Sequence, residues 1–376
     1  MNANKKIFMV STVHELDDVR IYHKYAKSLR KAKFDVYLCG QIPSNIDNNF
    51  KYIKIIGRHT NRLTRAIMGQ IGCLKLILCA QRKSIIHFHD PELLPVMVLL
   101  KLIFPNIIYD CHENFIAQLE HKSYLNSWTG KYKKILITFV YNYLTKRINF
   151  VVCANHEIAR VMKLRGVKNI VTVQNFVLRE EIGRVTKYNS GSKDLLFIGA
   201  ITKVRGIFAM LDFVNYLPSE YRLIIAGKFQ SDDLLSECKR HPGWAKVKFL
   251  GQVNREKLSV LMEKAKAGLF FFHDIPNHRG ASPNKLFEYF GRGLPVICSN
   301  EGTWQDVVKP NQLGYATSLD AVSLKATAEN ISSLDYEEVS DNCLRYAVKN
   351  SCWDNEFDNF INFVARETMH ENRLNM

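Results

Sequence analysis

Short apolar runs alternate with helix-like segments along most of this 376-residue chain. In the first half, strand-like runs occur at residues 7–11, 36–39, 52–56, 85–88, 107–110, 150–153 and 170–173. Segments with the spacing of amphipathic helices lie between them, at residues 22–31, 93–104 and 156–164. Such alternation is typical of βαβ units, in which a crossover helix connects two parallel strands. The pattern therefore predicts an α/β fold built on parallel sheets.

A polar segment at residues 179–192, rich in Gly, Ser and Asn toward its end, interrupts this pattern and predicts a linker. The alternation then restarts, with strand-like runs at residues 195–198, 223–226, 247–250, 269–272 and 295–299. Helix-like segments at residues 207–217, 255–266 and 283–290 separate them, and after residue 319 the pattern is only helical. The chain is therefore expected to contain a second α/β domain.

We predict two Rossmann-like, doubly wound domains, at residues 1–178 and 193–350, that face each other across a cleft. The carboxyl ends of the strands are expected to line this cleft, because open α/β sheets bind ligands there. Residues 351–376 are expected to form a last helix, from residue 353 to 369, that packs back on the first domain.

The net charge of +16 is unevenly distributed. Residues 1–178 contain 27 Lys and Arg against 11 Asp and Glu, whereas residues 179–376 contain 25 of each sign. Two spans of the first half, residues 48–89 and 121–156, lack acidic residues, and their basic residues alternate with apolar ones. This pattern suits a helix on an anionic bilayer, although a solvated basic face over an ordinary core helix is the alternative. No nucleic-acid recognition motif accompanies the charge, so we expect no nucleic acid partner.

Several features indicate the compartment. The first residues run directly into a strand-like segment, so we expect no signal peptide. The apolar stretch at residues 135–144 is about half of what a spanning helix needs. The nine Cys form no Cys-x-x-Cys pair, which suits buried thiols in a reducing cell. We expect a cytoplasmic protein that lies peripherally on the inner face of the membrane.

The segment from Ser282 to Glu288 predicts an anion site. Ser282 is expected at the N-cap and Pro283 at the first helical position. The free N–H groups and the dipole of the helix that follows can hold a diphosphate, with Lys285 beside it and Glu288 near a ribose. The alternative is an ordinary capped surface helix.

Polar residues also follow the predicted strands of the first half, in the runs 14–20, 87–92 and 109–113. His87 and His89 share one face of a strand and, with Asp90, could indicate a metal site. A hydrolase built on these residues with Asp110 and His112 is a rival enzyme class. Because two His at a strand end more often support a loop through hydrogen bonds, we expect no metal and no other cofactor.

Taken together, the motifs resemble glycosyltransferases of the two-domain GT-B fold, and specifically glycosyltransferase family 4. The resemblance rests on D-x-R-I at residues 18–21, H-D-P-E-L-L-P at 89–95, Y-D-x-H-E at 109–113, N-F at 175–176, R-G at 205–206, F-L-G at 249–251, P-N-K-L-F-E-Y at 283–289 and G-L-P-V-I at 293–297. It extends over most of both predicted domains.

The resemblance implies roles for individual residues. Glu288 matches the glutamate that binds the donor ribose, Arg205 and Lys285 lie at the diphosphate, and His112 matches the histidine that approaches the transferred sugar. The remaining donor contacts implied are Gly199, Gly251, Gln252, Val253, Ser282, Pro283 and Asn284. The residues expected on the acceptor side are Asp18, Arg20 and Glu113.

Two positions depart from the family pattern. Gly280 stands where the family commonly has another Glu, and Ala200 where it often has Arg. Lys203 or Arg279 is a candidate to replace the missing cation.

The predicted function is metal-independent transfer of a hexosyl or N-acetylhexosaminyl unit, with retention, from a nucleotide sugar, expected to be UDP-linked. The expected acceptor is lipid-linked or a surface polysaccharide such as a capsule or O-antigen, because the first domain carries the excess cations and meets an anionic membrane surface. The alternatives are a UDP-N-acetylhexosamine epimerase on the same fold and an inactive, nucleotide-sugar-binding scaffold of a polysaccharide assembly complex.

Overall fold

The structure, a computed structural model, describes residues 5–43, 47–57, 61–120, 128–183, 191–273, 283–301, 304–331 and 335–374. The chain divides into two compact units. Unit 1 comprises Met1–Asn175 with Asp354–Met376, and unit 2 comprises Phe176–Trp353.

The described part of unit 1 is built on a seven-stranded sheet in which every strand pair is parallel. The spatial order is β3-β2-β1-β4-β5-β6-β7, so the direction of winding reverses between β1 and β4. Ligands of such sheets bind at this switch point, outside the carboxyl ends of the strands. The strands are β1 (Lys6–Val10), β2 (Asp35–Gly40), β3 (Lys51–Lys54), β4 (Ile85–Phe88), β5 (Asn106–Cys111), β6 (Phe150–Cys153) and β7 (Ile170–Thr172).

The helices of unit 1 cover both faces of this sheet. Side chains alternate between the two faces of a strand, so that Phe88 packs toward α4 and α6 while His87 faces the opposite layer. A π-helical segment, Val19–Ala26, leads directly into the first helix. The helices are α1 (Lys27–Lys31), α2 (Arg62–Cys73), α3 (Leu76–Cys79), α4 (Leu94–Leu100), α5 (Phe115–Glu120), α6 (Trp128–Thr145) and α7 (His156–Leu164).

A last helix, numbered α15 after the helices of unit 2, spans Trp353–Leu374 and belongs to unit 1 after its first residue. The ring of Phe360 stacks on His87 with centroids 5.4 Å apart. The Glu356 carboxylate accepts a hydrogen bond from the backbone N–H of Gln174 at 2.6 Å. This helix therefore closes the layer that covers β4.

The described part of unit 2 repeats the arrangement with a six-stranded parallel sheet. Its order is β10-β9-β8-β11-β12-β13, which places the switch point between β8 and β11. The strands are β8 (Asp194–Ile198), β9 (Arg222–Ala226), β10 (Val247–Gly251), β11 (Ala267–Phe270), β12 (Val296–Ser299) and β13 (Gly314–Thr317). The helices are α8 (Ile207–Tyr216), α9 (Asp232–Lys239), α10 (Arg255–Lys264), α11 (Asn284–Gly291), α12 (Gln305–Val308), α13 (Ala321–Asn330) and α14 (Tyr336–Asn350).

Tyr289 anchors helix α11 to the sheet of unit 2. Its buried hydroxyl accepts a hydrogen bond from the backbone N–H of Ile198 at 3.1 Å. Its ring lies over Gly268, where a Cβ would come within 2.5 Å of the ring. The helix is therefore fixed beside the carboxyl end of β8.

The predicted fold class is confirmed by these two parallel sheets, and the predicted strands differ from the observed ones by at most two residues at either end. Strand β13 was not among the predicted ones, because its sequence, Gly-Tyr-Ala-Thr, is short and only weakly apolar. The predicted start of α11 is wrong by one residue. Pro283 has extended backbone, with φ −73° and ψ 117°, and its carbonyl accepts from Leu286 at 3.1 Å. Proline lacks an N–H, and so it suits the position before the helix as well as the first helical position.

All nine cysteines are free thiols. Within the described residues, no helix combines the length and the apolar character that crossing a bilayer requires.

The buried His87 makes the stability of unit 1 sensitive to acid. Neither of its ring nitrogens has a hydrogen-bond partner among the described residues, and burial lowers the pKa of His87 well below its usual value. The unfolded chain therefore binds a proton near pH 6.5 that the folded chain does not, and stability falls as the pH drops below about 6.5.

We expect His87→Gln to remove this titration. Between pH 6 and pH 5, the free energy of unfolding by urea should fall by about 1 kcal/mol less in the variant than in the unmodified protein. His156→Gln, at the exposed start of α7, is the matched control and should keep the original pH dependence. Identical pH dependence in His87→Gln and the unmodified protein would contradict the prediction.

Candidate functional site

A buried ion pair joins Arg20 to Asp110 at the end of β5. Nε of Arg20 lies 2.9 Å from Oδ2 of Asp110, and Nη2 lies 2.8 Å from Oδ1. The guanidinium also donates to the carbonyl of Val173 at 2.9 Å. Burial alone raises the pKa of Asp110, but the charge of Arg20 and hydrogen bonds from His112 and His89 hold it well below its usual value. Asp110 is therefore a carboxylate that only accepts hydrogen bonds.

Two imidazoles share this carboxylate. Nε2 of His112 lies 2.9 Å and Nδ1 of His89 3.2 Å from Oδ2 of Asp110. The same two nitrogens also lie 3.1 Å from each other, so the carboxylate and both rings form one hydrogen-bond network that fixes the plane of the His112 ring. His14 stacks on His112 with ring centroids 5.0 Å apart. The histidine expected to approach the sugar is therefore held in one orientation.

The same cluster brings possible metal ligands together. Donor atoms of the buried His87, His89 and Asp110 lie within 4.8 Å of one another. However, both oxygens of Asp110 already accept hydrogen bonds from Arg20, and a guanidinium at this distance repels a divalent cation. The arrangement therefore favours a supporting hydrogen-bond network over a metal centre.

Asp90, which follows β4, organises the loop after β1. Its Oδ2 accepts hydrogen bonds from Ser11 Oγ at 2.9 Å and from the backbone N–H groups of Thr12 and Val13 at 2.6 and 3.1 Å. Its Oδ1 lies 3.5 Å from Nε2 of His14. These contacts form at the switch point of unit 1, because β1 and β4 are neighbours there.

A pocket of about 810 Å³ opens among these groups. Such a volume lies within the range of about 300–1,000 Å³ that is usual for small-molecule sites. The polar part of its lining includes His14, Arg62, Arg65, His89, Asp90, Glu92, His112 and Glu113. The apolar part includes Leu94, Pro95, Tyr109, Phe115, Leu136, Ile137, Val140, Tyr141 and Leu144.

The three residues expected on the acceptor side take different positions. Glu113 is exposed and lines the pocket. Arg20 is buried beneath the carboxylate that it binds. Asp18 caps the π-helical segment, since its Oδ1 accepts from the backbone N–H groups of Arg20 and Ile21 at 2.7 and 3.1 Å. Asp18 and Arg20 therefore position other groups, whereas Glu113 and His112 can meet a ligand.

In unit 2, three glycines follow neighbouring strands. Gly199 follows β8, Gly227 follows β9 and Gly251 ends β10. The N–H of Gly227 donates to the carbonyl of Gly251 at 2.8 Å, and a Cβ at position 227 would lie 1.8 Å from the carbonyl oxygen of Gly199. No side chain would fit at position 227, and a ligand can approach the main chain closely at these glycines. Gln252, which is exposed, and Val253 continue this edge.

Arg205 lies at the same edge of the sheet, at the end of the helical turn Lys203–Arg205. Its guanidinium is 5.3 Å from the ring centroid of Phe272, and Nη1 donates to the carbonyl of Ala200 at 3.4 Å. Burial lowers the pKa of Arg205, yet a guanidinium stays charged at neutral pH. A fixed cation therefore lies between the ends of β8 and β11.

Lys203 and Arg279 were the candidates to replace the cation that is missing at Ala200. Nζ of Lys203 pairs with the Glu237 carboxylate at 2.7 Å, so Lys203 is engaged elsewhere. Arg279, Gly280 and the expected donor contact Ser282 lie outside the described residues.

Helix α11 carries the other predicted donor residues. Nζ of Lys285 lies 2.6 Å from Oε2 of Glu288, one helical turn further on. Both side chains are partly exposed, and Pro283 and the exposed Asn284 open the helix. A phosphate can therefore replace Glu288 as the partner of Lys285, and Glu288 is then free to bind hydroxyl groups.

The sequence motifs did not indicate His14, Arg62, Arg65 or the α6 side of the pocket as part of the site. His14 follows the first predicted strand as His89 follows a later one. The positions of His14 and His89 indicate a common site only when the spatial order β1-β4-β5 is known, because that order brings the loops after β1 and β4 together.

Comparison with known families supports a glycosyltransferase in unit 2. Residues 179–348, just under half of the chain, match the family model described as Glycosyl transferases group 1. No curated protein sequence matches the chain. This part of the chain is therefore similar to the glycosyltransferases of group 1, and membership of family 4 stays a prediction.

Solved structures match the whole chain. Sucrose-phosphate synthase from Thermosynechococcus elongatus is 14% identical with a TM-score of 0.71, and the match covers 99% of each chain. HepE from Anabaena in complex with UDP is 12% identical with a TM-score of 0.70, covering 96% of this chain and 100% of that one. WaaG, a glycosyltransferase involved in lipopolysaccharide biosynthesis, is 12% identical with a TM-score of 0.67, covering 94% and 98%. The chain has the GT-B fold that the motifs predicted.

We predict that Arg20→Met destabilises the protein by about 3–5 kcal/mol, because Asp110 would be left as an unpaired buried carboxylate. Arg160→Met is the matched control. Arg160 also holds a carboxylate with two nitrogens, at 2.8 and 2.7 Å from Glu157, but it is 64% exposed. Its loss should cost less than about 1 kcal/mol. Urea denaturation measures both, and similar small losses would contradict the prediction.

Proposed function

We propose that the protein is a glycosyltransferase that moves a hexosyl or N-acetylhexosaminyl unit from a UDP-linked sugar to a lipid-linked or surface-polysaccharide acceptor, such as a capsule or O-antigen precursor. Transfer uses no metal and retains the anomeric configuration. The observation that carries this proposal is the Lys285–Glu288 pair on a helix fixed beside the carboxyl end of β8.

Unit 2 offers the charges that such a reaction needs. A departing nucleoside diphosphate accumulates negative charge, and fixed cations stabilise that charge without reorganisation. Lys285, Arg205 and the amino-terminal end of α11 supply positive charge, so the proposal needs no metal ion. Glu288 then binds the ribose, and the backbone at Gly251 to Val253 meets the base.

The solved relatives support UDP and a glycoconjugate acceptor. HepE from Anabaena has been solved in complex with UDP and with UDP-glucose. WaaG is involved in lipopolysaccharide biosynthesis. We therefore include UDP as the donor nucleotide and a glycoconjugate precursor as the acceptor in the proposal for this chain.

Unit 1 has a surface suited to a membrane. Helix α6 exposes Ile135, Leu136 and Phe139 to 66%, 62% and 67%. The neighbouring segments expose further large apolar residues among their cations, namely Leu63, Ile67, Ile71 and Leu78 near α2 and α3, and Leu99 and Leu102 near the end of α4. We call these residues, together with the exposed Lys75, Lys131 and Lys133, the apolar basic face. We propose that it rests on anionic lipids at the inner, cytoplasmic side of the membrane.

The reaction product distinguishes a glycosyltransferase from an epimerase and from an inactive scaffold. A UDP-N-acetylhexosamine epimerase converts the nucleotide sugar without an acceptor. A scaffold binds UDP and releases no product with any sugar.

UDP should raise the melting temperature of the protein more than GDP does, since a bound ligand stabilises the folded state. Glu288→Ala removes hydrogen bonds to the ribose and should weaken UDP binding about tenfold or more. Asp194→Ala is the control, because Asp194 also pairs with a basic residue of unit 2, Arg222 at 2.9 Å, but lies at the amino end of β8, away from the proposed site. A UDP shift that Glu288→Ala leaves unchanged would remove the donor assignment.

The protein should co-sediment with vesicles that contain anionic lipid and be released by high salt, because screening weakens attraction between the cations and the lipid. Ile135→Glu with Phe139→Glu should weaken binding at least tenfold, since each large apolar side chain contributes roughly 1.5–3 kcal/mol when buried. Leu164→Glu, at a 74% exposed position on α7, is the control. Equal binding to neutral and anionic vesicles would contradict the prediction.

A further inference from the structure

The pocket of unit 1 has an apolar wall that a sugar acceptor alone does not require. Helix α6 lines it with Leu136, Ile137, Val140, Tyr141 and Leu144. Sugars bind mainly through hydroxyl groups, whereas burial of alkyl groups is what stabilises a ligand against such a wall. The wall therefore indicates a ligand with an apolar part.

This wall continues onto the surface of α6. Leu136 and Val140 line the pocket and are also 62% and 40% exposed. Phe139, which belongs to the apolar basic face, lies three positions after Leu136 and therefore on the same side of the helix. An apolar chain that leaves the pocket along Leu136 and Val140 therefore reaches the exposed Phe139 of the proposed membrane surface.

The other side of the pocket carries cations. Arg62 is exposed at the start of α2 and lines the pocket. Arg65, one turn on, lines it too and donates to both oxygens of Glu92, at 3.1 and 3.0 Å. Guanidinium groups form strong paired hydrogen bonds with phosphate. Asp90, Glu92 and Glu113 also line the pocket, but Asp90 accepts hydrogen bonds from the loop after β1 and Glu92 accepts them from Arg65. A phosphate next to the apolar part therefore meets Arg62 first.

His14 and His112 line the same pocket. We propose that the pocket binds an acceptor made of a long alkyl or isoprenyl chain that bears a phosphate or diphosphate. The chain lies along Leu136, Val140 and Leu144, the phosphate meets Arg62 and Arg65, and the hydroxyl to be glycosylated lies at His112. This inference rests on the proposed function and narrows its acceptor to a lipid phosphate whose chain enters the protein.

Single-chain n-alkyl phosphates test the pocket. Calorimetric titrations with octyl, decyl and dodecyl phosphate, each below its critical micelle concentration, should give saturable one-to-one binding. Affinity should rise by about fourfold per added methylene until the pocket is filled. Binding that does not saturate, or that does not depend on chain length, overturns the proposal.

Variants distinguish the pocket from the surface of α6. Val140→Asp should weaken dodecyl phosphate binding at least tenfold, and Leu136→Asp should do the same if Val140→Asp does not fold. Ile135→Glu is the matched control on the same helix, outside the pocket lining, and should leave this binding unchanged while weakening vesicle binding. Equal losses in Ile135→Glu and Val140→Asp overturn the proposal, because the alkyl chain then binds the outer surface.

The head group is tested with Arg62→Ala. This variant should weaken dodecyl phosphate about tenfold and leave dodecyl maltoside, which has the same chain and no charge, unchanged. Equal effects on both ligands overturn the assignment of the phosphate.

Separate ligands test the lipid pocket of unit 1 and the donor site of unit 2. Titrations of the same samples with UDP measure binding to unit 2, and Glu288→Ala should weaken UDP binding about tenfold or more while dodecyl phosphate binding is unchanged. UDP binding without alkyl phosphate binding overturns the lipid pocket alone. Alkyl phosphate binding without UDP binding overturns the donor assignment and leaves the pocket standing.

Discussion

The buried pair between Arg20 and Asp110 is the interaction on which the site of unit 1 depends. It connects the segment after β1, the end of β5 and the carbonyl of Val173 after β7. Burying two charges gains little stability by itself, because desolvation offsets the attraction. Its consequence here is positional, since the ionised carboxylate lies within hydrogen-bond distance of ring nitrogens of both His112 and His89. His112, which lines the pocket, is therefore oriented by a buried carboxylate outside the pocket lining.

Much of the fold could be predicted from the sequence, because buried parallel strands are continuous apolar runs. The runs at 85–88 and 150–153 coincide with β4 and β6. Strand β13 escaped prediction because three of its four residues are only partly buried, so its apolar signal is weak. The start of α11 was predicted one residue early, since proline is compatible with both of the positions at issue.

The site was less predictable, because its members come from distant parts of the chain. Motifs pointed to His112, Lys285 and Glu288, and they are partly exposed in the structure. Motifs did not indicate that Arg20 is buried, because exposure depends on its pairing with Asp110, 90 positions away. The apolar wall of α6 could not be assigned either. Its residues resemble those of an ordinary core helix until the structure shows that many of them are exposed.

The proposed donor site places the base of a nucleoside diphosphate sugar at Gly251 to Val253 of unit 2. Photolabelling with 5-azido-UDP-glucose, followed by peptide mapping, reads this position out, because the reactive group is on the base. We expect the label within residues 249–255 and expect excess UDP to prevent labelling. Labelling that maps to unit 1, or that excess UDP does not reduce, would rule out this donor site.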